Sequence, residues 1–400
     1  MTVRSSDLGN RVKTYWQARK CVFKLSGFSA VYHQSTIVYH SIAKTTVLNI
    51  IQSLISLLQI PLFGGRMNLS PQHANYSAQS TGTTIKKKQR WDDEGVAATI
   101  GTIMSLLVFM TFLGMFTNQF LPVWMTDNEA THMSEAIGQF ANLKSTIDIS
   151  ISNYANSLVA PSSIFIPVSL SAPGIPVFAA STAGILTLTP HAINMRPMFN
   201  VSYTYQAAGR PVSYLSPSND GGSGGSLELY CPNSYYVEEK LIYENGAVIL
   251  NQSDGEFVIA GPQFLAKNVG SGGSSSIVVM LTQITLQGHN KTVGGTGSKG
   301  VNANLQFADS TEYDNNAGSI LYFNITSQHG IAWANYFDSV LNGTAGMSPG
   351  HGYNITKVLK SFPSNPSRNY YIVTVSIEKV KVFDHTHAVV NLDIGELVRT

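Results

Sequence analysis

Residues 96–116 read VAATIGTIMSLLVFMTFLGMF, twenty-one consecutive residues without a charge. As an α-helix the run is about 31 Å long, close to the hydrocarbon thickness of a bilayer. A core helix of a soluble domain seldom stays apolar on every face for that length. The run is therefore expected to cross a membrane once. Just before it stands Lys86-Lys87-Lys88-Gln89-Arg90, four basic residues in five. Basic flanks stay on the cytoplasmic side, which puts everything after about Thr117 outside.

The charge distribution agrees with that division. Residues 1–90 hold 12 of the 25 Lys and Arg and a single acid, Asp7, a formal +11. Residues 91–400 hold the other 13 bases against 22 acids, a formal −9. A basic inner flank and an acidic exterior argue against a nucleic-acid-binding ectodomain. Charged residues make up only 12% of the chain, against about 25% in ordinary globular domains. Sparse charge with abundant Ser, Thr, Asn, Gly and Tyr suits a β-rich surface domain. Cys21 and Cys231 fall on opposite sides of the expected span, so the exterior domain must hold together through its core.

Upstream, residues 1–66 carry scattered bases and a modest apolar run, Val47 to Phe63, interrupted by Asn49, Gln52, Ser53, Ser56, Gln59 and Pro61. Were that run a span, the seven bases from Arg4 to Lys44 would lie outside, against the positive-inside tendency. It is either an interfacial amphipathic helix or part of an upstream extension to a chain that starts at Met67. The second reading is favoured, because it leaves a short polar leader ending in KKKQR.

Pro122 predicts a kink or break. Helical periodicity then resumes with Met133, Ile137, Phe140, Lys144, Ile147, Ile151, Tyr154 and Leu158 in a 4–3 spacing, Lys144 being the one polar member. Asp127 or Asn128 is placed to cap that helix, with Glu129 in its first turn. The apolar seam packs either on the protein's own β-domain, the favoured reading, or on neighbouring copies in an oligomer. From about Ser162 the period becomes two. Ile164, Ile166, Val168 and Leu170 alternate, as do residues 201–205. Glu244-Asn245-Gly246 between Leu241–Tyr243 and Ala247–Leu250 predicts a hairpin. Further strands are expected at Ser276–Leu286, Asn302–Phe307, Ser319–Thr326, Tyr370–Phe383 and Ala388–Ile394, with one helix over Ile331–Leu341 ended by Gly343.

The expected architecture is α+β: a transmembrane helix, a long amphipathic helix, then an antiparallel β-sandwich-like exterior domain with one embedded helix. The expected boundaries are an N-terminal extension over 1–66, a basic cytoplasmic leader over 67–95 and the membrane helix over 96–121. The amphipathic extracellular helix follows over 122–158 and the β-rich exterior domain over 159–400.

No catalytic pattern stands out. Asp384, His385 and His387 lie close together near an expected last hairpin, and two His at i, i+2 can bind a metal, but a solvated hairpin is the default. His289, His329 and His351 read as scattered loop residues, and no GxSxG elbow is present. The glycine-rich stretches 221–225, 270–276 and 294–300 read as surface loops; the last lacks the helix that a phosphate loop requires. No cofactor or metal is expected. Sequons begin at Asn200, Asn251, Asn290, Asn324, Asn342 and Asn354 on the exterior side, and at Asn68 and Asn75 on the interior side, where they should stay unmodified.

The junction Trp91-Asp92-Asp93-Glu94-Gly95-Val96-Ala97-Ala98-Thr99-Ile100-Gly101 resembles the N-terminal signature of archaeal type IV pilins. The resemblance implies cleavage by a prepilin peptidase between Gly95 and Val96, with the apolar helix kept on the mature protein and able to bundle with other pilin-like subunits. Glu94 stands where that family commonly has Arg or Lys, the nearest base being Arg90. Residues 235–250, YYVEEKLIYENGAVIL, resemble archaeal surface proteins with a pilin-like start and a β-rich exterior. An exterior domain of this size is large for a major pilin and favours a minor pilin or a simple anchored protein. The alternatives are an anchored receptor or binding module for polysaccharide or another surface, and a surface hydrolase.

Overall fold

The computed structural model describes residues 93–157, 163–192, 196–207, 210–216, 223–270, 276–344, 346–365 and 368–396. The extension over 1–66, the leader through Asp92, Leu158, Asn68, Asn75 and parts of two glycine-rich stretches (221–222 and 271–275) lie outside the described residues. The chain divides into two compact units, Met1–Phe112 and Leu113–Thr400.

In the first unit the described residues belong to helix α1, Asp93–Met115, whose last three residues enter the second. Every side chain from Ala98 to Thr111 is exposed, although the segment holds Ile100, Ile103, Met104, Leu106, Leu107, Val108, Phe109 and Met110.

In the second unit the end of α1 leads into a π-turn, Phe116–Phe120, followed by α2, Leu121–Ser157. The expected break at Pro122 does not occur, and neither Asp127 nor Asn128 starts a helix, because helical backbone runs through all three. The reason lies one residue earlier. The Leu121 N–H bonds to the Phe116 carbonyl, five residues back. This wider turn accommodates a proline ring that would strike the carbonyl four residues before it in a regular α-helix.

Among the described residues fifteen strands follow, joined in one hydrogen-bonded network with mostly antiparallel pairing. They are β1 Ile164–Ser169, β2 Gly184–Pro190, β3 Met198–Ala207, β4 Arg210–Ser216 and β5 Ser223–Cys231. Next come β6 Glu239–Glu244, β7 Ala247–Gln252, β8 Gly255–Ala260, β9 Phe264–Asn268 and β10 Ile277–Gly288. The last are β11 Lys291–Gly295, β12 Ser298–Ser327, β13 Ser348–Pro349, β14 Gly352–Lys360 and β15 Tyr370–Glu396. Helix α3, Gly330–Asn342, follows β12 and is the expected embedded helix. Two pairings are parallel, β10 on β15 and β13 on β14.

The apolar residues condense into two clusters, one against α2 and one against α3. The hairpin β6–β7 separates them. Leu241, Tyr243, Val248 and Leu250 point into the first cluster, and Ile242, Ala247 and Ile249 into the second. Burial on both faces explains why LIY and AVIL are continuous apolar runs instead of alternating ones. The strands β10, β12 and β15 each pass from one cluster into the other. Four expected strands are therefore halves of two long ones: Asn302–Phe307 and Ser319–Thr326 belong to β12, and Tyr370–Phe383 and Ala388–Ile394 to β15. Bulges keep the apolar side facing inward along β12. Its buried positions 301, 303 and 305 give way to 308 across the irregularity between Leu305 and Phe307, which turns Phe307 outward. The stretch 294–300 is not the expected free loop, because its ends belong to β11 and β12.

The turn of the β6–β7 hairpin has Asn245 at φ 46° and Gly246 at φ 75°, the backbone that Asn-Gly predicts. The turn is buried, and the Asn245 side-chain oxygen accepts the Ile284 N–H at 2.9 Å. Asn245→Ala is expected to cost about 2–3 kcal/mol, from the positive φ and from an orphaned buried N–H. Asn245→Gly keeps the backbone and should cost less. Thermal unfolding of the protein in detergent, followed by circular dichroism, checks both.

Candidate membrane anchor and the buried polar groups of the sheet domain

One helix among the described residues, Ala98–Tyr154, is long and apolar enough to cross a membrane, and none of its most apolar window is buried. Exposing that many large apolar side chains to water would cost about 1.5–3 kcal/mol each relative to burial. Gly95 and Val96 lie near the start of α1, within its helical backbone.

In the second unit α2 packs on the sheet. Met133, Ala136, Phe140, Leu143, Ile147 and Ile151 are buried in the first cluster, with Ile137 and Tyr154 partly buried against it. The predicted seam is thus covered by the protein's own β-domain. Lys144, its polar member, forms an ion pair with Asp148 one turn on. Burial raises the Asp148 carboxyl above its usual range, and Lys144 only partly opposes that.

Polar groups on α2 fasten particular loops. Glu129 is fully buried, and its carboxylate accepts the successive backbone N–H groups of Ser234, Tyr235 and Tyr236 at 3.1, 2.8 and 2.6 Å. Three adjacent amides turned toward one carboxylate form a concave anion seat. Glu129 does not serve the first turn of a helix, because α2 begins eight residues earlier. Farther along, the Gln139 side-chain oxygen accepts the Ser169 N–H at 2.9 Å, and His132 Nε2 stands 3.1 Å from the Ser169 carbonyl. Both backbone groups of that β1 residue are thereby held by the helix.

A second polar cluster joins β6, β8 and the start of α3. One Glu256 oxygen accepts the N–H groups of Ile331 and Ala332 at 2.9 and 3.1 Å, which caps α3 from a neighbouring strand. The other accepts Asn251 Nδ2 at 3.1 Å and lies 3.0 Å from His329 Nδ1. Glu244 Oε1 accepts the Ser327 hydroxyl at 2.7 Å and the Trp333 indole N–H. Burial raises the Glu244 carboxyl. Burial acts the same way on Glu256, but the His329 hydrogen bond and charge and the Ala332 amide outweigh it and bring that carboxyl below its ordinary value. For His329 burial favours the neutral ring, yet the hydrogen bond to Glu256 and the charges of Glu244 and Glu256 raise it. What this arrangement does chemically is hold an ion pair at a helix N-terminus.

The pH consequence follows from those directions. Glu256, lowered, contributes stability above about pH 4.5 that is lost as pH falls through its folded value. His329, raised, contributes stability below about pH 6.5 that is lost as pH rises through its folded value. Glu244, also raised, loses stability as pH climbs past about 4.5 toward its folded value. Stability should therefore decline as pH rises from about 4.5 through the raised folded values of Glu244 and His329. His329→Gln should flatten that decline, read as melting temperature against pH.

The histidines of β15 differ from their sequence reading. Asp384, His385 and His387 lie in the middle of β15, not in a solvated hairpin. His385 is buried, 2.6 Å from Gln283 Oε1 through Nε2 and 3.1 Å from the Tyr214 hydroxyl through Nδ1. Burial, with His387 nearby, lowers it to about 3 and keeps it neutral. His387 Nε2 lies 3.0 Å from Thr285 Oγ1, and Asp384 accepts the Ser310 hydroxyl. Long-range pairing with β10 buries the strand, and no local pattern announces that. Among the described residues no group of three or more His, Cys, Asp or Glu is placed to hold a metal ion. His289 and His351 are exposed, and Cys231 is buried and free.

The six exterior sequons fall into two sets. Asn290, Asn342 and Asn354 are exposed; Asn200, Asn251 and Asn324 are half-buried. Asn200 and Asn324 are register partners across β3 and β12, and Asn324 Oδ1 accepts the Thr374 hydroxyl at 2.9 Å.

Among the described residues these features define one candidate membrane-crossing helix and a mostly antiparallel β-domain. Comparisons with protein-family models, with curated proteins and with solved structures returned no match.

Proposed function

We propose that this is a non-enzymatic, single-pass surface protein of the archaeal pilin-like kind. In this reading Val96–Phe116 lies in lipid, the leader is cytoplasmic, and a sandwich-like β-domain with α3 embedded in it is displayed outside. The observation that carries the reading is the exposed apolar surface of residues 98–111, for which lipid is the natural solvent. The basic run before it supplies the orientation. Mass spectrometry of the protein from native membranes tests the pilin part. A mature N-terminus at Val96 supports processing between Gly95 and Val96, and an intact Lys86–Arg90 leader sinks it.

A specific observation favours the second reading, a permanently anchored receptor or binding module for polysaccharide or another surface. The seam of α2 is occupied by the protein's own sheet and offers nothing to a neighbouring copy. Under that reading the protein purifies as a monomer with its leader uncut. In either case sugars attached outside should be confined to Asn290, Asn342 and Asn354, because the acceptor nitrogen must reach an enzyme's site. At Asn251 that nitrogen is committed to Glu256. Site-by-site glycopeptide mass spectrometry checks the division; a glycan found at Asn251 or Asn324 contradicts it.

A further inference from the structure

No Asp, Glu, Lys or Arg occurs between Asp148 and Arg196. Within that stretch a short loop presents Pro173, Pro176, Val177 and Phe178 to solvent, with Val177 100% and Phe178 41% exposed. The loop is preformed. Ile175 and Ala179 form a bridge, the Phe178 and Ala179 N–H groups both bond to the Ile175 carbonyl, and Asn128 on α2 donates to the Pro173 carbonyl at 3.2 Å. Gly174 fits so closely against 179–181 that a Cβ there would meet the Ala179 oxygen at 2.4 Å. Val177 has φ 72°, at the apex after Pro176, a position normally taken by Gly or Asn. A β-branched residue in that conformation is a strained choice, and here the strain keeps an apolar side chain at the very tip.

The position of this tip gives it meaning. The Phe178 ring centroid is 4.8 Å from that of Phe116, and Phe116 stacks in turn on Phe120 and meets Trp124 edge-on. Phe116 is the last residue of the uncharged apolar run. If that run lies in lipid, its end and the ring beside it sit at the outer interface, where aromatic side chains collect.

We propose that the Pro173–Ala180 loop is a second membrane-contacting element, which seats Val177 and Phe178 in the outer interface of the bilayer that holds the helix. Its partner is the lipid surface itself, at the depth of headgroups and upper acyl chains. The absence of charge means that contact does not depend on anionic headgroups. The inference rests on the anchored reading above, and two touching elements at the interface would fix the tilt of the sheet domain against the membrane.

The test uses the full chain with Cys21→Ser, Cys231 being buried, reconstituted in phosphatidylcholine vesicles. Single cysteines Val177→Cys, Val108→Cys and Ser253→Cys, the last on an exposed turn, carry an environment-sensitive fluorophore. Nitroxide-bearing lipid should quench positions 177 and 108 several-fold more than position 253. Quenching at 108 with 177 behaving like 253 overturns the loop proposal and leaves the span standing. If 108 also behaves like 253, the anchored reading falls and takes this one with it. Protection of 177 from an aqueous quencher without quenching by lipid would place a protein surface on the tip, and also overturns the proposal.

Discussion

Replacing Leu107 and Val108 together with arginine is expected to abolish stable membrane association. Each charge at the centre of a spanning helix costs about 2.5–3.5 kcal/mol on insertion scales, so the pair costs about 5–7 kcal/mol, more than a thousandfold in partitioning. Both side chains are about half exposed along an unburied helix and contribute nothing visible to a protein core. The substitution therefore separates anchoring from folding. Membrane flotation after an alkaline wash reads the first, and the unfolding transition of the sheet domain reads the second. Variant protein that still floats with intact membranes would show that residues 96–116 do not span, and the functional reading would go with it.

The second large effect is expected at Glu129. Glu129→Ala removes the acceptor of three N–H groups and should destabilise the sheet domain by about 3–4 kcal/mol, from a cost of about 1–3 kcal/mol per unsatisfied buried donor. The lower part of the summed range applies because Ser234 and Tyr235 are exposed and water can reach part of the vacated seat. Glu129→Gln retains one acceptor oxygen and should fall between wild type and alanine. Limited proteolysis in the Pro232–Glu238 segment should accelerate in the same order. A Glu129→Ala protein with unchanged melting and unchanged proteolysis would mean that α2 is held by its apolar seam alone.

What could be read from the chain was what repeats locally. The apolar seam from Met133 to Tyr154, the Asn245-Gly246 turn and the α3 helix each rest on spacing or on one residue's backbone preference, and each stands in the structure. What could not be read depends on contacts far apart in sequence. Glu256 and His329 meet across 73 positions, and Glu129 finds its amides more than 100 positions away. The β6–β7 hairpin showed its turn chemistry, but its burial between two cores follows from elements that flank it only in space. His385 falls between two expected strands and so reads as part of a solvated hairpin, whereas β10 and Tyr214 bury it. The π-turn before Pro122 had no sequence signal beyond the proline itself. A long uninterrupted helix was hidden by a rule that is right for ordinary α-turns.

The attachment of α2 has a mechanical consequence. Tension applied at the start of α2 enters the sheet domain through a 37-residue helix that packs against β1, β6, β7 and β12. Such a load must shear the interdigitated row from Met133 to Ile151 together with the Glu129 and Gln139 fastenings, instead of unzipping one strand from its end. Joints loaded in shear resist far more than joints that peel. Tension applied through α2 should find the domain stiffer than tension applied through the end of β15.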